Sequence, residues 1–285
     1  MKHRIGLLAD VHGNRTALEA VIADSVQEHV TDYWFLGDLI MPGPGSEELF
    51  DRLKSLNPSV FVKGNWEDCF LETLSGDMDM GDPTDIYIAR LAQYQCEHLS
   101  DASIDFIKQA PLYMTRTLNG LKFGISHNLP EKNYGAQLAT DQAVENFDRL
   151  FMKTPCDIAI YAHIHHQLLR YSSDDRVIIN PGSIGQPFCQ WDKFRADRRA
   201  QYAIIEVDEQ GQFDVDFRRV DYNRDKEMQR AKSCGIPYLK LYEELLETGS
   251  LHTHDKDLLQ VINHQNGYGE DVVHFFNTRY WKTNF

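Results

Sequence analysis

Three times in the first 65 residues an apolar run of strand length stops abruptly at a polar cluster. The runs are RIGLLAD (Arg4 to Asp10), YWFLGD (Tyr33 to Asp38) and SVFVKGN (Ser59 to Asn65). Short continuous apolar runs bounded by turn residues predict buried strands. After the first, Ala17, Leu18, Val21, Ile22, Val26 and Val30 recur at helical spacing, which predicts a helix laying one apolar stripe on a sheet. A second helix is predicted near 46–56, after the turn-rich MPGPGS, with Ser46 as its cap. Successive strand–helix units predict an α/β layered fold whose strand ends open on one edge, where such sheets place their sites.

From about Cys69 to Leu118 strand signals fade and patterns such as IYIARLAQYQCEHL predict a helical insertion that walls the pocket. Strands resume at GLKFGISH (Gly120 to His127) and CDIAIYAHIH (Cys156 to His165). They continue at LLRYSS, RVIIN, YAIIEVD and FDVDFRRVDY, closely spaced with turn residues between, which suits a largely antiparallel second sheet. The expected architecture is α/β, a two-sheet β-sandwich flanked by helices. Residues 1–222 would form the main domain and 223–285 a C-terminal helical extension, in which MQRAKSCGIPYLKLYEELLETG reads as a helical pair.

Composition narrows the class. With 42% apolar residues and only 10 prolines among 285, the chain can bury a sizeable core. It lacks the long apolar stretch of a membrane span, and its N-terminus lacks the pattern of a secretory signal, so a cytoplasmic location is expected and no membrane partner. The five cysteines, Cys69, Cys96, Cys156, Cys189 and Cys234, are scattered without a Cys-x-x-Cys pair, which gives neither a disulfide framework nor a thiolate zinc site. A formal charge of −14 opposes long nucleic acids, and KFRADRR (Lys193 to Arg199) is the basic run that stands against it.

The polar clusters carry the chemistry. His163 and His165 lie two apart, so in extended chain they face the same way. Alone they read more readily as a solvated turn than as metal ligands. But Asp10, His12, Asp38, Asn65 and His127 also stand at predicted strand ends. Core packing has no use for seven oxygen and nitrogen donors at such points, and together they point to a metal centre. HTHD (His252 to Asp255) copies the spacing but follows no strand. Glu67 and Asp68 suit a helix start better than a metal.

In their order, Asp10-Val-His12-Gly-Asn14, Gly37-Asp38 with Gly43, Gly64-Asn65, His127 and Ala162-His163-Ile-His165 resemble the motifs of the calcineurin-like metallophosphoesterase family. The following Asn180-Pro-Gly-Ser-Ile-Gly-Gln-Pro187 resembles a loop of its bacterial small-phosphodiesterase branch. The resemblance implies two divalent transition-metal ions, manganese or iron first and zinc next, since mixed imidazole and oxygen ligands suit these better than magnesium. It implies Asp10, His12, Asp38 and His165 around one ion and Asp38, Asn65, His127 and His163 around the other. Asp38 would bridge, with Asp38, Asn14 and His127 in catalytic roles and Asn14 on the phosphate. Members sharing the most of these motifs hydrolyse diadenosine tetraphosphate asymmetrically, to AMP and ATP.

Two positions depart from the family pattern. Ala162 stands for a glycine, which is tolerable if φ there is negative. Trp66 stands where many members have a histidine able to protonate a leaving oxygen. An indole N–H cannot do so usefully, so leaving groups of high pKa are expected to leave poorly. A nucleotide phosphate has a second pKa of about 6 and needs little protonation. The expected substrates are therefore small nucleotides or dinucleoside polyphosphates, and activated phosphodiesters, over ordinary phosphomonoesters, with Trp66 as a substrate-stacking or packing residue. The alternatives are a phosphodiesterase or nuclease for short or cyclic nucleotides, or a non-catalytic scaffold of this fold, as in retromer.

Overall fold

Alternation along the first strands decides the layering. In the computed structural model, which describes residues 2–280, β1 (His3–Leu8) and β2 (Asp32–Phe35) pair in parallel with Ile5 opposite Asp32 and Leu8 opposite Phe35. Leu7 and Trp34 face a core between two sheets, while Leu8 and Phe35 face a layer of helices. That layer holds α1 (Arg15–Gln27) and α2 (Glu47–Leu56). In α1, Leu18, Val21 and Ile22 are buried, but Val26 is 62% exposed and leaves the expected stripe one turn early. Ser46 does occupy the N-cap position of α2, yet its hydroxyl donates to Gln95 Oε1 at 2.8 Å and caps nothing.

The first sheet runs β10-β9-β1-β2-β3, with β3 at Val60–Phe61, β9 at Ala200–Val207 and β10 at Phe213–Val220. The second runs β4-β5-β6-β8-β7, from β4 (Tyr113–Leu118) and β5 (Leu121–Ser126) through β6 (Ile158–Ile160) to β7 (Gln167–Tyr171) and β8 (Val177–Pro181). Two expectations are corrected here. The second sheet is mixed, with β5, β6 and β8 parallel and only its edge strands antiparallel. The strands YAIIEVD and FDVDFRRVDY belong to the first sheet, where β9 pairs antiparallel with β1, Ile5 opposite Ile205. The two sheets close face to face on Ile5, Leu7, Trp34, Phe123, Ile160 and Ile205.

The insertion is helical but shorter than expected. It comprises α3 (Asn65–Ser75), α4 (Pro83–His98) and α5 (Asp101–Gln109), after which the chain returns as β4. Asp82 caps α4 by accepting the Thr84 N–H, and Pro83 follows at the first helical position, a pairing that suits a helix start. Two short helices, α6 (Val144–Asp148) and α7 (Asp192–Arg195), sit in later connections. Beyond β10, α8 (Arg224–Cys234) and α9 (Leu239–Thr248) form the expected pair, followed by α10 (Lys256–Asn266) and α11 (Tyr268–Arg279). These last two pack on α4, and Tyr87 meets Tyr238 at 4.6 Å between ring centroids. Among the described residues no helix is long and apolar enough to cross a membrane.

Candidate metal centre

The C-terminal ends of β1, β2, β3, β5 and β6 open at one edge, and the loops beyond them interlock. Asp10, His12 and Gly13 donate their backbone N–H groups to the carbonyls of Gly37, Asp38 and Leu39, each at 3.0 Å, so the first two loops continue the pairing after the strands end. Five donor residues there adopt the left-handed region: Asp10, His12, Asp38, His163 and His165, with φ between 49° and 67°. Such conformations cost roughly 1–3 kcal/mol each for residues other than glycine and persist only where the surroundings enforce them. Ala162 is not among the positive-φ residues, which meets the condition its substitution for glycine set.

The side chains form two adjoining clusters, Asp10 with His12 and His165, and Asp38 with His127 and His163. Asp38 lies between them. Its Oδ2 is 3.3 Å from His127 Nε2 and 3.7 Å from His12 Nε2, while its Oδ1 accepts the Trp66 N–H at 2.9 Å. Asn65 joins the second cluster through Oδ1, 3.1 Å from His127 Nε2 and 2.8 Å from His163 Nδ1. The seven residues singled out in the sequence are thus brought together from distant parts of the chain.

Whether they suit a cation is a question of lone pairs. His12, His127 and His165 each turn Nδ1 onto a backbone carbonyl, those of Met41, Leu36 and Gln186, at 2.6–2.9 Å. A proton held there leaves the Nε2 lone pair free to face the cluster, the arrangement in which metal-ligating histidines are normally braced. His12 Nε2 and His165 Nε2 then approach to 3.1 Å, two acceptors that repel unless a cation or a proton sits with them. Asp10 adds a stronger sign: both its carboxylate oxygens are buried without a hydrogen-bond partner. The rings of His165 and His127 stand near it, 3.6 and 3.9 Å from Oδ1, and a buried carboxylate so poorly satisfied is costly, a cost that a divalent cation would offset. The donor set fits.

Titration behaviour follows the crowding. Burial pushes His12 down to about 4 against the pull of Asp38, and burial together with His127 pushes His163 down to about 4. At His127 burial also opposes charge, but the Asp38 carboxylate prevails and the ring is pushed up to about 10. Asp38 would be raised by burial, yet His127 holds it well below the carboxylate range. In this pair a proton stands where a cation would serve.

Glu67 is more than a helix cap. It is fully buried, and its carboxylate accepts three backbone N–H groups, from Asp38 at 2.8 Å, Leu39 at 2.7 Å and Gly64 at 2.8 Å. The Gly64 bond is the expected capping of α3. The other two tie the Asp38 loop to it, and burial beside Asp38 pushes Glu67 up to about 7. Gly64 must be glycine because a Cβ there would run into the Asp38 carboxylate. The 180–187 loop braces the other side: Ser183 Oγ and the Gly185 N–H both donate to Asp10 O at 2.9 Å.

Asn14 is buried: its Oδ1 caps α1 by accepting the Ala17 N–H at 3.0 Å, and its amide NH2 donates to Tyr222 Oη at 3.2 Å. Tyr222 itself carries no sequence signal, because nothing local marks a tyrosine that reaches back over 200 residues. Trp66 packs half-buried on the helix-side core, its ring 6.0 Å from His12 and edge-on to it. Lys132 rests on the Tyr134 ring, Arg15 pairs with Glu19, and His252 pairs with Glu244 and Asp255, so none of these joins the clusters.

A two-sheet α/β sandwich with adjoining carboxylate–imidazole clusters at its strand ends is the architecture of a metallohydrolase. Residues 3–210 match the calcineurin-like phosphoesterase superfamily domain, and the chain belongs to that superfamily of metal-dependent phosphoester hydrolases. An uncharacterized protein of Methanocaldococcus jannaschii is 23% identical over 253 residues, 83% of this chain and 95% of that protein. A metallophosphoesterase from Sphaerobacter thermophilus shares the fold with a TM-score of 0.63 at 24% identity, covering 87% of this chain and 99% of its own. A hypothetical protein from Pyrococcus horikoshii OT3 does so with 0.67 at 20%, covering 87% and 98%.

Proposed function

We infer that the protein hydrolyses phosphoanhydrides of nucleotides, cleaving dinucleoside polyphosphates and, for diadenosine tetraphosphate, giving AMP and ATP. Asp10, His12, Asp38 and His165 would hold one divalent cation and Asp38, Asn65, His127 and His163 a second. Such cations neutralise phosphate charge and lower the pKa of water so that no protein nucleophile is needed. The observation that carries the reading is Asp38 Oδ2 lying between two histidine clusters, one of which holds an Asp10 carboxylate buried without a hydrogen bond.

The chain's own groups then set the preference. Glu67 and the 180–187 loop hold Asp38 and Asp10 in place, so the donors are oriented before substrate arrives. The Asn14 amide, held by Tyr222, would bind the phosphate. At Trp66 no titratable proton donor is present, which suits a phosphate leaving group and handicaps an alkoxide. The deciding experiment measures metal bound to the purified protein and identifies the products from diadenosine tetraphosphate. AMP with ATP supports the reading, two ADP overturns the cleavage register, and faster turnover of alkyl monoesters than of dinucleoside polyphosphates overturns the substrate class.

A further inference from the structure

Beside the donor clusters the surface opens into a cleft of about 220 Å³. Its wall is tied to a donor residue through the backbone: the Phe188 N–H donates to His165 O at 3.3 Å, and the ring of the neighbouring His166 stands edge-on to Phe188, 5.4 Å between centroids. Its walls are planar. Phe188 lines it from one side and Phe194 from α7, and Phe194 is 69% exposed, a large ring held in water beside a polar site. Exposed aromatic surface next to a catalytic centre marks a place for a ligand with an apolar face.

Charged and amide groups around the rings are engaged within the protein: Gln167 Nε2 donates to Tyr202 O and Arg218 O, and Arg219 donates to Gln167 Oε1 and to Asp197 Oδ2. The rings of Phe188 and Phe194 are therefore what the cleft offers a ligand, and flat apolar faces match a heteroaromatic base, which stacks through its own face.

We propose that this cleft seats the nucleobase of the substrate, stacked on Phe188 and Phe194. The proposal rests on the nucleotide reading above and adds where one nucleoside binds. It leaves the phosphate attached to that nucleoside at the side of His165. Neither ring is among the donors, so both can be altered without touching the metal ligands.

The test is calorimetric titration of the metal-loaded protein with AMP and with ribose 5-phosphate, which shares the phosphate and sugar but has no base. AMP should bind at least about tenfold more tightly, the fold-change one base–aromatic stack carries. Phe194→Ala, at an exposed position that leaves folding intact, and Phe188→Leu should each narrow that ratio to within about threefold while leaving ribose 5-phosphate affinity unchanged. Equal affinities in the wild type, no measurable AMP binding, or a ratio unmoved in both variants would overturn the proposal. If dinucleoside polyphosphates are not hydrolysed but the AMP preference exists and disappears in Phe194→Ala, the substrate reading falls and the cleft assignment stands. Hydrolysis of dinucleoside polyphosphates without any AMP preference keeps the substrate reading and overturns the cleft assignment.

Discussion

Asp10 is the residue at which stability and chemistry pull apart. Its unpaired oxygens are tolerable with a cation present and unfavourable without one. Asn tolerates the left-handed conformation that Asp10 adopts, so Asp10→Asn removes the charge while keeping the backbone. We expect the metal-free variant to melt no lower than metal-free wild type. The extra stabilisation from saturating metal, about 2.7 kcal/mol at a hundred times Kd for a single site, should largely vanish. Thermal denaturation with and without manganese checks this. Trp66→His supplies the missing proton donor 6.0 Å from His12, and should raise kcat/KM for alkyl monoesters about 100-fold relative to dinucleoside polyphosphates in a paired substrate assay. The donors are legible from residues alone because each ends an apolar run. Tyr222 is not, since it meets Asn14 from the far end of the domain. Glu67 reads as a cap in the sequence, and two of its three bonds reach across to another loop, which no local pattern encodes.

Among the elements, the start of α3 is where a loop and a ligand are welded. Glu67→Ala leaves three buried N–H groups unpaired and should cost at least about 3 kcal/mol, measured by denaturant unfolding. Gly64→Ala is a different probe: φ there is −89°, an ordinary value, so the disturbance comes from the new methyl, which meets the Asp38 carboxylate and its backbone N. Metal affinity by titration should drop about 10- to 100-fold, the range for disturbing the groups that orient a ligand. Element type is largely readable from periodicity, sheet membership much less so. The strand β4 escapes because it is an edge strand whose residues are mostly half-buried, giving no apolar run. The parallel core of the second sheet escapes because pairing of β6 with β8 skips β7, a decision made by tertiary packing.

For the molecule as a whole, acidity and substrate stand opposed, and the donor clusters resolve the conflict locally. A chain of −14 repels a phosphoester unless divalent ions reverse the sign at one edge. Treatment with a chelator should therefore abolish nucleotide binding as well as turnover, lower Tm, and be reversed by added manganese, as read by calorimetry and thermal melts. The C-terminal helices take part in this architecture. Glu227 of α8 is fully buried and accepts the Thr16 N–H at 3.0 Å at the start of α1, and α10 and α11 cover α4.

The pairing of β1 with β9 has a consequence for synthesis. His3 lies opposite Val207, so the first strand made waits for a neighbour encoded about 200 codons later. At about 5–20 residues per second that delay is on the order of 10–40 s. Asp10, His12, Asp38 and Asn65 leave the ribosome before the sheet that carries them can close, and the growing chain exposes sticky apolar edges throughout that interval. Ions encountered then meet a disordered chelator, so the order of events in the cell should be closure first and loading afterwards.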